Sequence, residues 1–145
     1  MNNRYRILII YLILTAVSAI PFLGVLKSGF VYDDTPYVTE NQHVQKGLTK
    51  ESIRWAFTED HSKMWHPFAS LSHIIDYELY GLNPTGHHLT SLLFHIANTL
   101  LLFFVLKMLT NSVWSSAFIA AIFAVHPLNV ESVAWIAERK NVTSF

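Results

Sequence analysis

"ILIIYLILTAVSAIPFLGVL", residues 7–26, decides the fold class. The stretch is twenty residues long without a formal charge, interrupted only by Thr15, Ser18, Pro21 and Gly24. At 1.5 Å per helical residue it reaches ~30 Å, the hydrocarbon thickness of a bilayer. Composition agrees: 52% of the 145 residues are hydrophobic and 14% charged, where a soluble domain averages about 25% charged. Mean hydropathy is +0.32. Formal net charge is zero, so no basic field exists to recruit nucleic acid. The chain has no cysteine, which excludes disulfides and thiolate metal sites. An all-α membrane protein is expected.

A secretory leader also begins with basic residues and an apolar run, and Val17-Ser18-Ala19 passes as a cleavage site. The apolar run continues beyond it, however, and two further membrane-like segments follow, which favours an uncleaved span over 7–26. A second span is expected over 88–108, through "LTSLLFHIANTLLLFFVL" (89–106). A third is expected over 113–128, carrying "WSSAFIAAIFAV" (114–125) as far as His126-Pro127, which is short for a crossing. Arg4 and Arg6 flank the first span, and short basic flanks stay cytoplasmic. The loop 27–86 and residues 127–141 are then expected together on the extracytoplasmic face, with the turn 110–112 inside.

The loop itself has helical signals. Thr49 suits the cap of "KESIRWAF" (50–57), with Glu51 near its positive end. Pro67 suits the first turn of "PFASLSHIIDYELY" (67–80), which Gly81 terminates. Both mix aromatic and charged residues as interfacial helices do.

Three groups of residues are chemically suggestive. Asp33 and Asp34, within "GFVYDDTPYV" (29–38), follow the first span. They fit a hydrated turn before Pro36, a cation site, or a general base whose pKa is tuned by a low-dielectric surface. Aromatic Phe30, Tyr32 and Tyr37 argue against a merely solvated turn. Adjacent side chains on extended backbone point to opposite sides, so one of the pair can face a reaction while the other is anchored elsewhere. Second, His88 and His95 are seven apart and share a face of the second span, where ionisable groups are costly and suggest function. Third, "HPLNVESVAWIAERKN" (126–141) places Glu131 and Glu138 on one helical face. Arg139 and Lys140 follow, on the side where a basic flank is not expected, and guanidinium suits phosphate.

These residues carry a resemblance. "FVYDDTPYVTENQHVQKGLT" (30–49), "WHPFASLSHIIDYELYGLNPTGHHLTSLLFHIANTLLLF" (65–103) and "AAIFAVHPLNVESVAWIAERKNV" (120–142) resemble the amino-terminal part of GT-C class membrane glycosyltransferases with tetratricopeptide repeats. That group includes the transmembrane and tetratricopeptide-repeat O-mannosyltransferases and bacterial relatives. The resemblance implies a fragment of a polytopic GT-C fold, without the repeats, in a bacterial inner membrane. It implies an inverting enzyme that moves a sugar, mannose in the named family, from a polyprenyl-phosphate carrier to a hydroxyl acceptor such as a protein Ser or Thr.

On that reading Asp33 or Asp34 is the base, with no choice between them. Arg139 and, less directly, Lys140 bind the donor phosphate, while Glu131, His88 and His95 shape the cavity. A divalent cation at Asp33 and Asp34 is compatible, because some GT-C enzymes use one and others do not. Where relatives carry Asn and Asp, this chain has Ser91 and Asn141, the latter change removing a carboxylate near Arg139. Three spans cannot enclose a lipid-linked donor, so the isolated chain is expected to be an inactive piece of a larger enzyme. The competing class is a non-enzymatic membrane scaffold or transporter subunit, but transporters place ionisable groups near the midplane rather than at the boundary.

Overall fold

The structure, a computed structural model, describes residues 3–32, 34–58 and 66–143. Among these residues it is helical, with no strand. The first span is α1 (Asn3–Ala19), continued by a 3-10 segment, Ile20–Lys27. Pro21 explains the change of winding: it has no N–H to give the carbonyl four residues back, so the ladder tightens there. The polar side chains inside the span are satisfied locally, Thr15 Oγ1 donating to the Tyr11 carbonyl at 2.9 Å and Ser18 Oγ to that of Leu14.

The described residues between 28 and 83 fold on themselves rather than forming an open loop. After a π-turn at Thr35–Thr39 come α2 (Gln42–Gln45), α3 (Lys50–Thr58) and α4 (Pro67–Tyr80). Asn41 Oδ1 caps α2 by accepting from the amides of His43 (3.0 Å) and Val44 (3.2 Å), and Thr49 Oγ1 caps α3 through Ser52 N–H at 3.1 Å. Gly81 ends α4 at φ +60°, where a side chain would be strained. Val38, Val44, Trp55, Ala56 and Ile74 form a buried core closed by Ile136 from the far end of the chain. Removing that apolar surface from water, at ~25 cal/mol per Å2, is what holds these short helices, none of which is stable alone.

Two long helices follow: α5 (Pro84–Thr110) and α6 (Val113–Val125), joined by a turn in which Asn111 takes the left-handed conformation. The segment Arg4–Lys27 and α5 are each long and apolar enough to cross a membrane. At 13 residues, α6 is not: it spans only ~20 Å. The third span expected over 113–128 is therefore interrupted. Pro127 bars helical backbone at the residue before it, His126 is extended (φ −64°, ψ 132°), and the chain turns by 60° into α7 (Leu128–Ala134). The crossing has three spans only if this bent pair counts as one.

α1, α5 and α6 pack together around Ile10, Leu14, Phe103 and Ala120, with Tyr11 edge-on to Phe103 at 5.2 Å. One face of α6 is built from small residues, Ser116, Ala117, Ala120, Ala121 and Ala124, which lets backbones approach closely. Its large residues point outward, Trp114 and Phe118 among them, as do Leu12, Ile13, Leu101 and Phe104 on the other two helices. A belt of exposed apolar side chains around a small-residue seam is what lipid solvates, and the chain is an integral membrane protein by this construction.

The chain does not run on as one helix after α7. It extends at Trp135, turns through Ile136–Glu138 and re-forms as α8 (Arg139–Thr143). Glu131 and Glu138 therefore do not share a continuous helical face.

Candidate functional site

The site is assembled where α4, the start of α5 and α8 meet. Spacing brings its polar groups together: Ser72 and Asp76 are one turn apart on α4, and His87 and Ser91 one turn apart on α5. Between them lies Arg139, the first residue of α8 and fully buried.

Its guanidinium is held by four hydrogen bonds. Nη1 donates to Asp76 Oδ2 at 2.5 Å and to Ser72 Oγ at 3.2 Å. Nη2 donates to the His87 carbonyl at 2.7 Å, and Nε to Ser91 Oγ at 3.1 Å. Ser72 and Ser91 can accept because their own protons are directed to the Ala69 and His87 carbonyls. Burial pulls the guanidinium pKa below its ordinary value, while the Asp76 carboxylate opposes that pull. A buried charge without such a partner would cost several kcal/mol. Ser91 is thus a direct partner of Arg139. Asn141 is not: its amide donates to Glu138 Oε2 at 2.7 Å.

Asp34 comes to the same place from the other end of the chain. It is fully buried, its Oδ2 accepting from Val31 N–H at 2.9 Å and its Oδ1 from Ala137 N–H at 2.8 Å. The second bond clamps the 136–138 turn immediately before Arg139, and the carboxylate acts electrostatically on Arg139 itself. Two segments 103 residues apart are joined by one side chain. Asp33 lies outside the described residues. Its neighbour Tyr32 is 88% exposed and sits at φ +43°, a conformation costing a non-glycine residue roughly 1 kcal/mol. Backbone strain of this kind concentrates at functional sites.

The other residues singled out from sequence are distributed unevenly. Lys140 is half-buried and pairs with Glu138 Oε1 at 3.0 Å, beside the cluster rather than in it. Glu131 is exposed on α7. His88 is buried against the Gly29 backbone, though neither ring nitrogen meets hydrogen-bond geometry. His95 Nε2 lies 3.0 Å from the Ala124 carbonyl, tying α5 to the end of α6. Asn98 Nδ2 donates to the Val142 carbonyl at 2.8 Å, tying α5 to α8.

Of the four residues that receive the guanidinium, sequence reasoning singles out Ser91 alone and misses Asp76, Ser72 and His87, with His73 beside them. The recurring one-turn spacings were visible, but nothing local said that they face one another. Burial, with Arg139 and His87 adding to it, holds the His73 pKa well below the ordinary histidine value, so the ring is neutral. An apolar cleft of about 370 Å3, lined by Phe68, Ser72, Ile75, Phe94, Asn98 and Val142, opens beside the cluster.

Among curated proteins the chain is similar to protein O-mannosyl-transferases Tmtc1 and Tmtc2 of Drosophila melanogaster and TMTC2 of Homo sapiens. Identity is 30% in each case, over 138, 137 and 138 residues. These alignments cover 90%, 89% and 90% of this chain but 16%, 15% and 16% of the relatives, so the chain spans about one sixth of their length. No protein-family model and no solved structure matches it. Over about nine-tenths of its length, then, the chain is a relative of the protein O-mannosyl-transferases.

Proposed function

We propose that the chain forms part of an inverting membrane glycosyltransferase that moves a sugar from a polyprenyl-phosphate carrier to a hydroxyl on an acceptor protein. The observation that supports this reading is the Asp34–Ala137 bond, which holds Asp34 against the turn that leads into Arg139 and Lys140. Asp34 has both carboxylate oxygens engaged by backbone amides, so it serves as the positioning residue. Asp33, its neighbour in sequence, is the base that takes the acceptor proton. A positioned carboxylate of this kind contributes ~10²–10⁴-fold to rate.

Arg139 supplies fixed positive potential from its buried seat. The more accessible Lys140 contacts the donor phosphate, as cationic clamps do at developing phosphate charge. The apolar cleft beside Ser72 receives the first part of the carrier lipid. Arg4 and Arg6 support a cytoplasmic amino terminus and an extracytoplasmic site.

The test belongs in a complete relative with purified lipid-linked donor and acceptor. Asp→Asn at the position of Asp33 is expected to abolish transfer with membrane insertion and expression unchanged. The same change at Asp34 is expected to lower both transfer and folding stability. Full transfer by both variants would remove the catalytic reading.

A further inference from the structure

We propose that His73, Asp76 and His87 form a binding site for one divalent transition-metal ion of the zinc class, built from other residues than the cation site suggested by sequence at Asp33 and Asp34. His73 and Asp76 are three residues apart on α4 and share its face, and His87 meets them from the first turn of α5. One ligand atom from each residue lies within 4.8 Å of the other two, and all three residues are buried.

The hydrogen bonds say what is missing between them. His87 Nε2 is 3.0 Å from the Gly81 carbonyl, which only accepts, so the ring proton of neutral His87 is on Nε2 and Nδ1 offers a lone pair. That lone pair faces Asp76 Oδ2 at 3.5 Å and makes no hydrogen bond. Two lone pairs opposed in a buried site repel, and a cation between them reverses the sign. His73 Nδ1 is likewise buried without a hydrogen bond.

The surrounding contacts are those that ligands usually make. A ligating histidine donates its other N–H to a carbonyl, as His87 does to Gly81, and a ligating carboxylate is itself hydrogen-bonded. Here Thr90 Oγ1 donates to Asp76 Oδ1 at 2.7 Å, leaving Oδ2 toward the histidines. Two donors bound tetrahedrally to zinc at ~2.0–2.1 Å lie roughly 3.4 Å apart, so the His87–Asp76 spacing needs almost no adjustment. Two imidazoles and one carboxylate suit zinc or cobalt, and three protein ligands leave a fourth position open. Arg139 also uses Asp76 Oδ2, which works against a second cation, but it keeps Ser72, Ser91 and the His87 carbonyl as acceptors.

The test uses the untagged full chain in detergent micelles, stripped with chelator and titrated with Co2+ as the coloured probe. One Co2+ per chain is expected, with tetrahedral d–d absorption that Zn2+ displaces. His73→Gln and His87→Gln are each expected to weaken binding at least about tenfold, while His126→Gln, at an exposed position, changes nothing. Absence of the band in the wild type overturns the site, as does a band unchanged in both variants, which marks binding by other histidines. Zinc-edge X-ray absorption of the wild type keeps the proposal testable if a variant fails to fold. Two imidazoles in the shell are expected, and fewer overturn it. A proton in place of the metal, making His87 an imidazolium paired with Asp76, predicts no Co2+ uptake and counts against the proposal.

Discussion

Replacing Asp76 by Asn isolates the charge that keeps Arg139 buried. Arg139 and Asp76 side chains are 0% and 2% exposed, so solvent screens little of their interaction. Asparagine has the same shape, and its carbonyl can still accept from Nη1. Thr90 can redirect its hydroxyl to the Gly86 carbonyl, 3.3 Å away. What is lost is the countercharge. Breaking a buried ion pair from one side costs ~3–5 kcal/mol, and the field of Asp34 on Arg139 places the expectation at the lower end. About 3 kcal/mol is roughly a 150-fold change in the unfolding equilibrium.

The measurement is SDS or thermal unfolding of the chain in micelles with chelator present, followed by helical circular dichroism. Arg139→Gln and the double variant complete the cycle. The double variant is expected to recover much of the loss, because it leaves no buried charge alone. A cost below about 1 kcal/mol for Asp76→Asn, or strictly additive losses in the double variant, would refute the account of a desolvated pair.

Gly86→Ala is expected to destabilise the α4–α5 corner by about 1–3 kcal/mol, because a Cβ there overlaps Cβ and Cγ of Tyr80 rather than a flexible side-chain end; an unchanged melting midpoint would contradict this packing. His73 predicts a pH dependence in chelator-treated protein. Its folded pKa is depressed by burial, with Arg139 and His87 also facing it, so below about pH 6.5 the unfolded chain binds a proton that the folded chain does not. Stability is therefore expected to fall on acidification from about 6.5, by up to ~1.4 kcal/mol per pH unit from this group. His73→Phe should flatten the slope, and an unchanged slope would remove His73 as its source.

How far the sequence reached depends on the range of the interactions involved. The spans were legible because an uncharged apolar run of bilayer length has few other solutions, and the helices at 50–58 and 67–80 because Thr49, Pro67 and Gly81 act within a turn of themselves. Pro127 also carries its own explanation, since it acts on the residue before it, yet the sequence shows there only the end of a segment short for a crossing and not the 60° bend. Arg139 was identified as important from its charge and placement alone. Its partner could not be, because Asp76 is 63 residues away, Ser91 is 48, and the Asp34 clamp on Ala137 spans 103. Local pattern thus determined which segments are helical and which face lipid. Tertiary packing decided whether each charge is buried, because the cost of desolvating a guanidinium is set only by what the folded chain brings within 3 Å of it.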